Sequence, residues 1–159
     1  MPKYNLQFKA DVENLTDIKP AGDDYEWLLK IKCTSCSEVN PALVTVVESE
    51  SHPIPNSRGE ANLVMKCKFC KTDGSGSLVS KSIKPYNLEH SGNFSTVATF
   101  ELRNLEVVGW KPSVGFRAIG AESETVFEDI DLQDDWTEYD EKAQESVSIL
   151  NIETKASKC

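Results

Sequence analysis

Along residues 4–13, apolar and polar side chains alternate without a break. Tyr4, Leu6, Phe8, Ala10 and Val12 fall on one register and Asn5, Gln7, Lys9, Asp11 and Glu13 on the other. A period of two sends successive side chains to opposite faces of an extended chain, which predicts a half-buried strand. Asn14 and the cluster Pro20-Ala21-Gly22-Asp23-Asp24 then punctuate the chain. Residues 25–32 predict a second strand running straight into Cys33, residues 39–47 a third, and residues 48–59 a loop. Residues 63–66 predict a short strand leading into Cys67, followed by a turn at Gly74-Ser75-Gly76-Ser77 and a strand over 78–83. Residues 94–102, rich in β-branched and aromatic side chains, predict another strand. No segment carries a long helical period, and residues 136–147 fit either a short helix or an edge strand. The expected fold class is all-β.

A faint repeat accompanies this pattern. Glu13-Asn14-Leu15-Thr16-Asp17-Ile18-Lys19-Pro20 is echoed by Arg103-Asn104-Leu105-Glu106-Val107-Val108-Gly109-Trp110-Lys111-Pro112, two residues longer and 90 residues further on. Each copy ends a strand at Asn-Leu, reaches Lys-Pro and leads into an aromatic stretch. The repeat predicts two related β-sandwich-like halves, residues 1–90 and residues 91–159.

Charge sharpens the division. The chain of 159 residues has 17 basic and 26 acidic side chains, a net charge of -9. Residues 121–142 hold ten acids and one lysine, so this window alone sums to -9, and the rest of the chain is neutral. An acidic balance argues against nucleic acid, whose binding needs a basic surface, and against anionic lipid. No apolar run approaches the length of a membrane span, and residues 1–5 lack the apolar core of a secretory signal. The expectation is a cytoplasmic monomer, a compartment in which cysteines serve as metal ligands or thiols rather than as disulfides.

The chemistry lies in the cysteines. Cys33-Thr34-Ser35-Cys36 and Cys67-Lys68-Phe69-Cys70 are two Cys-x-x-Cys pairs separated by 30 residues. Two intervening residues let one tight turn aim both sulfurs at a single point, and two such turns supply the four thiolates of a tetrahedral structural zinc site. Four sulfur ligands close the site and leave no position for a catalytic water. Lys30, Lys32, Lys66, Lys68 and Lys71 surround the pairs and would offset the negative charge of a zinc tetrathiolate. Removing the ion is expected to unfold the first half.

Two rival readings use the same cysteines. Met65-Lys66-Cys67-Lys68-Phe69-Cys70 offers a soft Met-x-Cys-x-x-Cys set suited to copper transfer, although Met65 also sits where core packing explains it. A thiol–disulfide oxidoreductase would place one pair at the start of a helix, whereas both pairs here follow strands. Cys159 stands apart as a terminal thiol. His52 and His90 lie in polar, loop-like sequence with no nucleophile at a catalytic spacing, so no catalytic residue is expected. The acidic window lacks the central glycine and terminal glutamate of a calcium loop. Trp136 and Tyr139 inside it would either anchor the segment to the core, the favoured reading, or recognise a basic protein segment.

Taken end to end, the sequence resembles the eukaryotic CXXC-motif-containing zinc-binding proteins, formerly a family of unknown function. The resemblance runs through Asn14-Leu15, both cysteine pairs, Ile83-Lys84-Pro85-Tyr86 and the tail over residues 135–147. It implies a small cytosolic β-rich protein of two related halves with one zinc per chain on Cys33, Cys36, Cys67 and Cys70, in a family with no established enzymatic activity. The functional expectation is a zinc-stabilised, non-enzymatic protein-interaction module with a protein partner, a metal-trafficking protein being one candidate class. The alternatives are soft-metal transfer and thiol–disulfide exchange.

Overall fold

A computed structural model describes residues 2–159. The first half of the chain contributes β1 (Lys3–Glu13), β2 (Leu15–Pro20), β3 (Glu26–Cys33), β4 (Val44–Val47), β5 (His52–Pro53), β6 (Glu60–Ala61), β7 (Leu63–Lys66) and β8 (Asp73–Leu78). After a single 3-10 turn at Leu88–His90 come β9 (Ser95–Arg103), β10 (Leu105–Lys111), β11 (Val114–Gly120), β12 (Val126–Asp131), β13 (Trp136–Asp140) and β14 (Glu145–Lys158). The all-β expectation holds, with no α-helix among the described residues.

Among the described residues four sheets form: six strands in the order β13-β14-β1-β9-β8-β7, three in the order β10-β3-β4, three in the order β12-β11-β2, and the small β5-β6 pair. Each of the three larger sheets carries a ladder that crosses residue 90. β1 pairs antiparallel with β9, β3 with β10, and β2 with β11. Residues 1–90 and 91–159 therefore share one core, in which Leu6, Phe8, Trp27 and Ile31 pack with Phe100, Leu102, Trp110 and Phe116. Edge-to-face aromatic contacts tie it together, with Trp27 to Phe100 at 5.7 Å, Tyr25 to Trp27 at 4.9 Å and Tyr25 to Phe116 at 5.0 Å between ring centres.

The alternation in β1 is realised residue for residue: Tyr4, Leu6, Phe8, Ala10 and Val12 are buried and their neighbours are not. In β3 the buried positions are Trp27, Leu29, Ile31 and Cys33, so the same parity that builds the core delivers the first cysteine inward. In β7, Leu63, Met65 and Cys67 share one parity, with Leu63 and Cys67 buried. Met65 packs against the core, the role that competes with ligation for it.

Several boundaries differ from the sequence expectation. The segment 39–47 is a strand only from Val44, with Val39 making an isolated bridge to Lys32. The expected turn at Gly74-Ser75-Gly76-Ser77 is instead the middle of β8. Its glycines are there for close approach: a Cβ on Gly74 would lie 2.5 Å from the Leu105 side chain, and one on Gly76 would lie 2.8 Å from Leu102. Residues 136–147 are an edge strand and its return, not a helix. Trp136 is half-buried and packs edge-to-face on Phe127 at 5.8 Å, but Tyr139 is 51% exposed, so only one of the two aromatics anchors the segment. The acidic window spans β12 and β13, each the outer strand of its sheet, where charge discourages edge-to-edge pairing with other chains.

Candidate metal centre

Each cysteine pair caps a hairpin of the same construction. At the first, the Cys33 N–H donates to the Glu38 carbonyl at 2.9 Å and the Ser37 N–H donates to the Cys33 carbonyl at 2.9 Å. At the second, the Cys67 N–H donates to the Thr72 carbonyl and the Lys71 N–H to the Cys67 carbonyl, both at 2.9 Å. The chain reverses because the residue after each second cysteine is left-handed, Ser37 at φ 64 and Lys71 at φ 65. Neither is glycine, so the Cys-x-x-Cys spacing predicts the turns but not the left-handed residues that close them.

The two hairpins bring all four sulfurs within 4.8 Å of one another. Cys33 Sγ and Cys70 Sγ are 3.6 Å apart, and so are Cys36 Sγ and Cys67 Sγ. A tetrahedron with metal–sulfur bonds of about 2.3 Å has sulfur–sulfur edges of roughly 3.8 Å, so the donor set fits a zinc ion in chemistry and in size. Cys33 and Cys67 are buried at the strand ends, whereas Cys70 is exposed at its tip.

The thiols of Cys36, Cys67 and Cys70 do not ionise alike. The Thr72 hydroxyl, 3.2 Å from Cys70 Sγ, and the Thr72 backbone bring the Cys70 thiol down to about 6. Backbone N–H groups of Cys70 and Phe69 lower Cys67 from its ordinary value. At Cys36 the Glu38 backbone favours the thiolate, but burial and the sulfurs of Cys67, Cys70 and Cys33 prevail and push it up to about 12. A divalent cation among them removes that conflict, because its charge lets all four sulfurs be thiolates together.

A residue from the far half of the sequence braces both hairpins. Asn104, left-handed at φ 62 between β9 and β10, accepts the Thr34 N–H on its carbonyl at 3.2 Å. Its side-chain amide donates to the Asp73 carbonyl at 3.0 Å. The Asn-Leu pair recurs in the sequence, but nothing local marks Asn104 as a brace for the cysteines.

The other candidates lie elsewhere. The lysines are engaged apart from the sulfurs where partners exist: Lys66 faces Asp73 at 4.0 Å, and Lys71 Nζ donates to the Lys68 carbonyl at 3.2 Å. Cys159 is exposed and outside the cluster, its sulfur 3.2 Å from Asn5 Oδ1 on β1. His52 lies on β5, and His90 Nδ1 accepts the Asn87 N–H at 2.9 Å within the 3-10 turn.

The family described as CXXC motif containing zinc binding protein, eukaryotic, matches residues 5–157. Proteins of that description from Homo sapiens and Xenopus laevis are 46% and 45% identical to this chain, each over the full length of both chains. The crystal structure of C1orf123 superposes with a TM-score of 0.94 at 46% identity, covering 99% of each chain.

Proposed function

The chain belongs to the eukaryotic CXXC-motif-containing zinc-binding proteins, and on that premise we propose that it holds one structural zinc on Cys33, Cys36, Cys67 and Cys70 and works as a non-enzymatic protein-interaction module. The observation that carries this reading is the convergence of four sulfurs from two hairpins of identical construction. Bound there, zinc would cross-link the hairpins β3–β4 and β7–β8, whose tips have no apolar core of their own. Four protein sulfurs fill a tetrahedral ion, leaving no position for water or substrate. The space against Cys33 and Cys67, lined by Met65, Phe69 and Leu105, is about 10 Å³, room for no more than a single water. A reducing compartment such as the cytoplasm suits a site that needs free thiols. The surface offered to a protein partner is the acidic β12–β13 edge with the exposed Tyr139.

Metal analysis of the purified chain, followed by challenge with a buffered Cu(I) donor and an insulin-reduction assay, tests the metal role. One zinc per chain, retained against Cu(I) and without disulfide exchange, is expected. Ready replacement of zinc by Cu(I) would instead support soft-metal transfer, and turnover in the reduction assay an oxidoreductase. Capture of partners by the parent and by Asp134→Lys/Asp135→Lys/Glu138→Lys tests the surface: an unchanged set of partners would remove the acidic edge from the proposal.

A further inference from the structure

The zinc-free half contains a second pair of hairpins built like the cysteine pair. In the six-stranded sheet the order β13-β14-β1-β9-β8-β7 reads the same from either end when β1, β7 and β8 are exchanged with β9, β13 and β14. The other ladders obey the same exchange, since β3 pairs with β10 as β11 pairs with β2, and β4 flanks β3 as β12 flanks β11. Under it, the hairpin from Cys33 to Glu38 corresponds to 120–125, and that from Cys67 to Thr72 corresponds to 140–145.

The local geometry repeats as well. The Gly120 N–H donates to the Thr125 carbonyl at 2.8 Å and the Glu124 N–H to the Gly120 carbonyl at 3.0 Å, as Cys33, Glu38 and Ser37 do. Asp140 pairs with Glu145 across the other hairpin. Glu124 and Gln144 are left-handed at φ 60 and φ 56, in the places of Ser37 and Lys71. Even the brace recurs: Asn14, left-handed at φ 59, accepts the Ala121 N–H at 2.9 Å and donates from its amide to the Ser146 carbonyl at 2.8 Å. These are the counterparts of the contacts that Asn104 makes to Thr34 and Asp73.

The cysteine positions map onto Gly120, Ser123, Asp140 and Ala143. Where Cys36 and Cys67 bring their sulfurs together, Ser123 donates its hydroxyl to the Asp140 carboxylate. Asp140 is buried and also accepts from the Thr125 hydroxyl at 3.2 Å and from the N–H groups of Lys142 and Ala143 at 3.1 and 3.2 Å. A Cβ on Gly120 would come within 2.6 Å of both Asp140 Oδ2 and Ser123 Oγ, so this position aims into the cluster as Cys33 aims at the sulfurs.

We infer that residues 120–125 and 140–145 are a metal-free copy of the cysteine site, in which the Asp140 carboxylate joins the two hairpins as a metal ion would, and that the cluster is a latent tetrathiolate site. The carboxylate spends its acceptor capacity on Ser123, Thr125 and two backbone N–H groups, so the native cluster takes no ion of its own. Four cysteines at these positions would replace the carboxylate by an ion at the same crossing. This rests on the four native cysteines being a metal site, and the parent's zinc content, read in the same assay, separates the failure of one from the failure of the other.

The test is the variant Gly120→Cys/Ser123→Cys/Asp140→Cys/Ala143→Cys, produced with zinc and titrated with Co(II) beside the parent. One more equivalent of zinc than the parent, with sulfur-to-cobalt charge-transfer absorption doubled, is expected. A folded variant with the parent's metal content would overturn the inference. Should the variant not fold, amide exchange on Asp140→Ala decides: exchange at Gly120, Thr125 and Ala143 should rise by about ten-fold or more while that at Cys67 and Lys71 holds. Unchanged exchange at Gly120 and Thr125 would overturn it, because the carboxylate would then not be joining the hairpins.

Discussion

The side chain of Asn104 donates to the backbone carbonyl of Asp73 at 3.0 Å, and through that bond the second half of the sequence holds the cysteine hairpin of the first. Asp73 opens β8 immediately after Cys70, Lys71 and Thr72. The same asparagine accepts the Thr34 N–H from the other cysteine hairpin, so one residue spans both. A left-handed backbone, which asparagine tolerates better than other side-chain-bearing residues, is what lets it face two ways.

Asn104→Ala loses both the amide bond and the tolerance for φ 62, and should cost about 2 kcal/mol. Asn104→Gly keeps the backbone freedom and loses only the bond, so it should cost about 1 kcal/mol. Urea unfolding of the two variants against the parent checks the ranking, and both should bind zinc more weakly than the parent.

Because Trp27, Ile31 and Leu102 belong to one core shared by both halves, removing zinc should loosen the hairpins rather than unfold residues 1–90. The expected result of chelation is fast amide exchange at Ser37 and Lys71 while Leu6 and Phe100 stay protected. The melting temperature should fall by roughly 10 °C relative to protein held at about a thousand times its zinc Kd. Cys67→Ser should reproduce the loosened state without chelator.

Gly74→Ala places a methyl group 2.5 Å from the Leu105 side chain, next to the second cysteine hairpin. Overpacking of this kind costs about 1–3 kcal/mol. Combining it with Leu105→Ala should cost less than the two single losses added, since the new methyl enters the space that leucine vacates. Thermal unfolding of the double-mutant cycle reads this directly.

Two neighbouring carboxyl groups should pull the pH profile in opposite directions. Burial and then the carboxylates of Glu122 and Asp140 raise Glu145 above its ordinary value of 4.5, and its Oε1 is buried without a partner. Its folded form favours the proton, so its contribution is present below the ordinary value and lost as pH rises through the folded one. Glu145→Gln should therefore be more stable than the parent at neutral pH. Asp140 is the reverse: the Ser123 hydroxyl, then backbone N–H groups and Thr125, hold it below 3.8. Its contribution is present above that value and lost as pH falls through the depressed one, so Asp140→Asn should be less stable at neutral pH and flatter under acid. Stability measured from pH 3 to 7 on both variants separates the two.

The strands β1, β3, β7 and β9 and the cysteine pairs are legible because both are written locally. Alternation in Tyr4-Asn5-Leu6-Gln7-Phe8 gives a face to β1, and two residues between cysteines give a turn, whatever the chain does elsewhere. The strands β2, β5, β6, β10, β11 and β12 and the long β14 are not predicted: β14, for one, alternates weakly, its register shifts opposite Lys9 and Asp11, and its middle holds the left-handed Asn151. The left-handed backbone at Ser37 and Lys71, which closes the cysteine turns, is not legible for a different reason, since neither position holds a glycine.

Sequence by itself determined the all-β class, the strand that runs into Cys33, and the two Cys-x-x-Cys pairs as one candidate ligand set. Tertiary structure decided which strands meet, that Gly74 and Gly76 lie inside a strand, and that Asn104 rather than any neighbour of the cysteines braces them. It also decided the partner of Asp140, a carboxylate indistinguishable in sequence from the exposed acids around it until Ser123 and Thr125 fold over it. The physical reason is common to all of these: a side chain's direction follows from two-residue periodicity, but its partner follows from pairing between strands as much as 90 residues apart or more, as Asn5 and Thr99 already show across β1 and β9 at 94 residues' separation.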